Sequence, residues 1–259
     1  MGTGGGTEMA AAAGLLNMIV ERHDFSNLEQ CCRSLSEYIV ATARQCVAEK
    51  GRFTLVASGG TTPKTLYRFL ATDPFVDQMP WEQTHLFWGD ERCVAPDHQD
   101  SNYRMLREAL LTHPLPATCT VHRMPGELPP DQGAANYEEE LRRYFTHDRK
   151  ESVLLPTFDL ILLGLGDDGH TASLFPNAMA LAEKTKWVIA TPPGTLPPHV
   201  DRITLTIPAI NNATEVVFLV AGAKKKKLAA AILTNRPPPE YPAGRIAPQG
   251  KLLWYVADA

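Results

Sequence analysis

No apolar run in the 259 residues approaches the length needed to span a bilayer, which argues against a membrane protein. Met1 to Gly14 is rich in alanine and glycine but lacks a basic start followed by a long apolar segment. It does not read as a secretory signal, and residues 1–14 are expected to form a flexible tail. The five cysteines, at 31, 32, 46, 93 and 119, are odd in number and never spaced C-x-x-C. A disulfide framework and a zinc site are therefore not expected, and a reducing, cytoplasmic location is. Charge of one sign is not in excess: a formal net charge of -4 predicts neither nucleic acid nor an acidic membrane surface as a partner. The metal motif H-E-x-x-H and the phosphate loop G-x-x-x-x-G-K-[ST] are both missing, so no metal is expected and any phosphate must be held in another way. There is no internal repeat, and no linker long enough to divide residues 15–259, which are expected to form one α/β domain.

What is present alternates. Strands are expected at Leu15–Glu21, Phe53–Ala57, His85–Trp88, Thr120–Arg123, 159–163, Trp187–Ala190, Arg202–Thr206, Glu215–Ala221 and Leu252–Val256. The spacing of Leu28, Cys32, Leu35, Ile39, Ala43 and Cys46 predicts a helix capped by Asp24 or Ser26 and stopped by Gly51. Further helices are expected after Pro63, from Ser101 to about Leu111 with Pro114 and Pro116 beyond it, through Ala134 to Phe145, and from Gly222 to about Leu233. Asp73 to Pro80 reads as loop. Strands and helices in alternation predict an open, mostly parallel sheet with helices on both faces.

One stretch concentrates the chemistry. A short apolar run, Leu160–Leu163, gives way to glycines at 164, 166 and 169, and His170 follows the last of them with Asp168 two positions before it. Strand, glycine turn, acid and histidine suggest a site at the carboxyl end of a strand. The seven other histidines, 23, 85, 98, 113, 122, 147 and 199, have no such frame and read as structural or surface residues. Gly164-Leu-Gly-Asp-Asp-Gly169 is also a literal G-x-G-x-x-G. A dinucleotide site needs an acid ending the next strand, yet Trp187–Ala190 runs into Thr191-Pro192-Pro193, and two aspartates in the turn would repel a pyrophosphate.

A second stretch, Ser58-Gly-Gly-Thr-Thr-Pro63, bares backbone amides at the opening of a helix, adds hydroxyls and so suits an anion. Lys224–Lys227 lie in the first turn of a helix, where cations oppose the helix dipole. A bound anion would remove that conflict, although only one or two of the four can face it.

Gly164-Leu-Gly-Asp-Asp-Gly-His-Thr-Ala-Ser-Leu-Phe-Pro176 resembles the signature of the 6-phosphogluconolactonases, relatives of the glucosamine-6-phosphate deaminases. Ser58 to Lys64, Gly89-Asp-Glu-Arg92, Ser101-Asn-Tyr103, Arg202 to Thr206 and Gly222 to Lys225 match in order, over roughly residues 15 to 256. The resemblance implies a Rossmann-like fold similar to the deaminase, no cofactor, a monomer or weak homo-oligomer, and hydrolysis of 6-phospho-D-glucono-1,5-lactone. It assigns water activation to His170, oriented by Asp168, with Arg92 at the oxyanion. Substrate and phosphate contacts fall to Ser58, Gly59, Gly60, Thr61, Thr62, Lys64, Asp90, Asn102, Arg202 and Lys225. The deaminases carry a glutamate five positions after the histidine; here that position is Phe175, which cannot accept a proton and favours the lactonase. A non-catalytic sugar-phosphate sensor would need the same phosphate-holding residues and stays open.

Overall fold

The computed structural model describes residues 18–111, 119–146, 154–234 and 237–258. The expected tail at 1–14, the first three residues of the expected strand at 15–21, and His113, Pro114, Pro116 and His147 lie outside the described residues.

Two sheets carry the molecule. The larger has seven strands in the order β1-β10-β9-β6-β2-β3-β5. These are β1 (Ile19–Phe25), β2 (Phe53–Ala57), β3 (Thr84–Trp88), β5 (Thr120–Val121), β6 (Leu160–Leu163), β9 (Glu215–Ala221) and β10 (Lys251–Ala257). Every pairing among them is parallel. The central strands β2, β6 and β9 are mostly apolar because helices and loops exclude water from them; β2 and β6 are buried at every position. Burying each leucine- or valine-sized side chain there contributes roughly 1.5–3 kcal/mol.

Helix α1 (Leu28–Lys50) buries Cys32, Leu35, Ile39 and Ala43, as its spacing requires. Its cap is neither Asp24 nor Ser26 but Asn27, whose side chain accepts from the Gln30 amide at 2.9 Å. The reason is β1: it runs to Phe25, four residues past the expected end, because it pairs with β10 residue for residue as far as Ala257. Asp24 is thereby held in the strand, bonded to Arg22. After β2 come α2 (Thr61–Leu70) and a short helix, α3 (Phe75–Gln78), inside the stretch expected to be loop. Helix α4 (Asn102–Leu106) continues as a wider π-type turn to Leu111.

The smaller sheet was not expected. Asp90–Arg92 forms a strand, β4, antiparallel to β8 (Arg202–Leu205), which is antiparallel to β7 (Val188–Thr191). Helix α5 (Pro130–Thr146) packs on β7 and β8. The sheets are joined where β3 passes through Gly89, whose carbonyl accepts from the Leu205 amide at 2.8 Å. Helix α6 (Ile207–Asn211), β9 and helix α7 (Ala223–Ile232) then complete the path to β10. From β2 the chain adds β3 on one side and later β6 on the other. This strand-order reversal places the carboxyl ends of β2 and β6 beside an open crevice.

Candidate active site

The crevice is a cleft of about 350 Å³ at the carboxyl ends of the parallel strands, closed on its far side by the small sheet. Four of the parallel strands each deliver one part of it.

Strand β6 delivers the histidine turn. The Gly166 amide donates to the His170 carbonyl at 2.8 Å, and the ring folds back over Gly166 so closely that an added Cβ there would lie 2.1 Å from Nδ1. Glycine is required by that approach. His170 Nδ1 lies 2.6 Å from Asp168 Oδ1, which also accepts from the His170 amide at 3.1 Å. With Nδ1 donating to the carboxylate, the Nε2 lone pair is left for the cleft. His170 lines the cleft and Asp168 stands behind it. Burial raises the Asp168 carboxyl, but the hydrogen bond and charge of His170 leave it below its ordinary value. The Phe175 ring packs against the imidazole with centroids 4.8 Å apart.

Strand β2 delivers the anion turn. Helix α2 is capped by Gly60 without any side-chain bond, so the amides of its first turn have no intrahelical partner. The turn is held from behind by the buried Tyr67 hydroxyl, which accepts from the Ser58 amide at 2.9 Å and donates to the Ser58 carbonyl at 2.8 Å. Ser58, Gly59, Gly60, Thr61, Thr62 and Pro63 line the cleft. Lys64, expected among the phosphate contacts, is not in the lining. Pro63 takes the cleft-facing place, and the next residue of a helix points about 100° away from it.

Strand β3, through β4, delivers the charges. Arg92 and Arg202 are partners in the β4–β8 register, so two guanidinium side chains project from opposing positions into one cleft. Like charges placed this way destabilise a sheet unless an anion lies between them. Arg202 is 4% exposed and donates to the carbonyls of Pro198 at 2.7 Å and Val200 at 3.1 Å. Burial, and then the Arg92 charge, push it below its ordinary value. Arg92 Nη1 donates to the Asp100 carbonyl at 2.6 Å, while its buried Nε has no hydrogen-bond partner among the described residues. Asp90 lines the cleft beside Arg92 and Asn102. Glu91 does not: it is buried and accepts from the amides of Arg92, Asn102 and Tyr103 and from Ser101 Oγ, capping α4. Burial raises its carboxyl.

Strand β9 delivers Lys225 through the first turn of α7. Its neighbours go elsewhere: Lys224 pairs with Asp167 at 3.0 Å and Lys226 with Asp258 at 2.8 Å.

A sequence profile of glucosamine-6-phosphate isomerases and 6-phosphogluconolactonase matches residues 26–254. The chain belongs to this family. A 6-phosphogluconolactonase of Synechocystis sp. is 46% identical over 214 residues, spanning 82% of this chain and 85% of that protein. One from Nostoc sp. is 41% identical over 230 residues, spanning 88% and 90%. The solved 6-phosphogluconolactonase of Thermotoga maritima superposes with a TM-score of 0.77 at 31% identity, over 92% of this chain and 99% of that one.

Within this family member, sequence reasoning missed several cleft residues: Leu165, Asp167, Ala172, Leu196, Pro197, Leu219 and Ala221. Leu219 and Ala221 were findable, since they end a strand whose carboxyl end had to face the site. Leu196 and Pro197 belong to an irregular proline-rich loop, and nothing in its pattern says which way it folds. Among the described residues no group of histidine, cysteine, aspartate and glutamate is arranged to hold a metal ion, and no helix is long and apolar enough to cross a membrane.

Proposed function

We propose that this protein hydrolyses 6-phospho-D-glucono-1,5-lactone to 6-phospho-D-gluconate, in the oxidative pentose phosphate pathway. The names of its relatives and the chemistry of the cleft support the same reading. One observation carries it: an imidazole anchored by a carboxylate through one nitrogen, with the other facing the cleft that two opposed arginines share.

In this scheme His170 Nε2 takes a proton from water as the water oxygen bonds to the lactone carbonyl carbon. Asp168 holds the ring in the required tautomer and stabilises the imidazolium, as the acid of a catalytic triad does. Arg92 meets the charge developing on the carbonyl oxygen. When the bond to the ring oxygen breaks, the imidazolium returns its proton to that oxygen, giving a free hydroxyl and the carboxylic acid. The phosphate is held by the turn at 58–62 together with Arg202 and Lys225. Arg92 and Arg202 can serve both ends of the substrate because its carbonyl carbon and the ring carbon that carries the phosphomethyl group flank the same ring oxygen. Holding the phosphate aligns the carbonyl with the water, which is where much of the rate enhancement arises. All proton transfers run through His170, so no cofactor enters the scheme.

The test is to generate the lactone by enzymatic oxidation of glucose 6-phosphate and to follow acid release with and without the protein. Release well above the spontaneous rate is expected. Binding of 6-phosphogluconate with lactone opening at only the spontaneous rate would make the protein a sensor. Ammonia release from glucosamine 6-phosphate would move it to the isomerase branch of the family.

A further inference from the structure

One cleft carboxylate is shaped by two neutral side chains that the scheme above does not use. Asp90 is 6% exposed, and its side chain receives one donor on each oxygen. Ser173 Oγ donates to Oδ2 at 2.6 Å, and Asn102 Nδ2 donates to Oδ1 at 3.3 Å. Asn102 Nδ2 also donates to the Asp90 carbonyl at 2.9 Å, so carboxylate and backbone are gripped by one amide. Ser173 and Asn102 are themselves 0% and 1% exposed. The Ser173 amide reaches Thr204 Oγ1 on β8 at 3.3 Å, which ties the histidine turn to the small sheet at the point where Asp90 sits. Asn102 in turn abuts the anion turn: a Cβ on Gly59 would lie 1.9 Å from its Oδ1. That Oδ1 is buried and has no hydrogen-bond partner among the described residues.

A carboxylate only accepts hydrogen bonds and has about four lone-pair sites. Ser173 and Asn102 occupy one on each oxygen, which leaves acceptor capacity on a carboxylate that lines the cleft. Asp90 and Arg92 lie two apart on one strand and so share a face. The wall therefore offers an acceptor beside cations, which matches a ligand carrying hydroxyl donors and an anion on one short carbon chain. Glu91, between them, shows the contrast: its oxygens are taken up by amides and a hydroxyl within its own loop.

We propose that Ser173 is a positioning residue acting through Asp90: with Asn102, it turns the Asp90 carboxylate to accept hydrogen bonds from the hydroxyl groups of the sugar phosphate. Asp90 thus reads the polyol while the basic side chains hold the phosphate. This deepens the lactonase reading of the same cleft and rests on it.

The test measures dissociation constants calorimetrically for 6-phosphogluconate and for inorganic phosphate, with wild type, Ser173→Ala, Asp90→Asn and the double variant. Each single variant is expected to bind 6-phosphogluconate about tenfold more weakly while its affinity for inorganic phosphate is unchanged. The double variant should be no weaker than Asp90→Asn alone, because Ser173 acts through that carboxylate. Equal weakening toward both ligands, an unaltered Ser173→Ala, or additive losses in the double variant would each overturn the proposal. If Ser173→Ala does not fold, Ser173 is a folding determinant and the positioning role falls. The isosteric Asp90→Asn still reports on hydroxyl recognition. The readout is binding, so a wild type that binds 6-phosphogluconate more tightly than phosphate but fails to open the lactone would sink the catalytic reading and leave this one standing.

Discussion

Among the described residues, the two shortest imidazole–carboxylate pairs are of almost equal length. His170 Nδ1 lies 2.6 Å from Asp168, and His122 Nδ1 lies 2.7 Å from Glu140. What separates them is the other nitrogen. His122 Nε2 is taken by His85 Nδ1 at 3.2 Å, and its ring lies flat on Phe87 with centroids 4.3 Å apart. His170 Nε2 meets no protein partner among the described residues and opens onto the cleft. A short bond to an acid thus does not by itself leave an imidazole nitrogen open to a cleft. In His122 it completes the satisfaction of a packed ring; in His170 it fixes a tautomer and leaves a base unspent.

The strongest way to break this comparison is to delete each ring in turn. His170→Ala should lower kcat for lactone hydrolysis by roughly 10²- to 10⁴-fold, the range for loss of a positioned general base, with little change in the urea midpoint. His122→Ala should do the opposite, costing about 1–3 kcal/mol of stability through the unpaired His85 and the lost stacking, with turnover within about twofold of wild type. Stopped-flow acid release and urea unfolding measure the two quantities. If His122→Ala lost turnover as heavily as His170→Ala, the distinction between the pairs would fail.

A smaller effect is expected at the opposed arginines, where the cleft, rather than the ring, is altered. Arg202→Met removes one of two facing cations and should cut kcat/KM by about 10²-fold, mostly through KM, since phosphate anchoring is lost. In the wild type, inorganic phosphate should raise the melting temperature, because it binds the folded state alone and relieves the Arg92–Arg202 repulsion. In Arg202→Met that rise should be much reduced. An undiminished rise would place the anion elsewhere.

The two pairs also show why one site could be read from the residues and the other could not. Asp168 and His170 are two residues apart on a glycine turn that follows an apolar strand, so local geometry alone brings them together. Glu140 is 18 residues from His122 and on a different element, and only the packing of α5 against β3, with Phe145 on Phe87, brings them together. The same logic holds around the cleft. The four lysines were noticeable because cations in a helical first turn conflict with the dipole, although only the resemblance picked Lys225 from among them, and the anion turn because it opens a helix. The facing of Arg92 and Arg202 needs the β4–β8 register, and β4 is three polar residues with no alternation to reveal it. Ser173 and Asp90 are 83 residues apart and meet only because that strand exists. Lys64 belongs to the matching stretch, but helical rotation leaves it outside the cleft lining.

The last and smallest expectation sharpens the structural side of the comparison. Burial, then the neighbouring His122 charge, lowers the His85 conjugate acid from the ordinary 6.5 to about 4. The groups facing it are His122, the ring of Tyr144 and the Arg52 charge, with Glu140 reached through His122. In the unfolded chain His85 takes up its proton near the ordinary value, while the folded chain resists doing so until the lower one. Between them the unfolded state binds more protons, so the stability contributed is fully present above about 6.5 and is lost as pH falls toward about 4. His85→Asn, which cannot titrate, should therefore lose less stability than wild type between pH 7 and pH 5, roughly the midpoint of that window, when both are unfolded in urea. His85 is not among the residues lining the cleft, so the variant should keep its lactone turnover at pH 7 while the slope changes. Identical slopes for the two proteins would mean that His85 is already protonated in the folded state at pH 5, and the buried pair would then be a charged one.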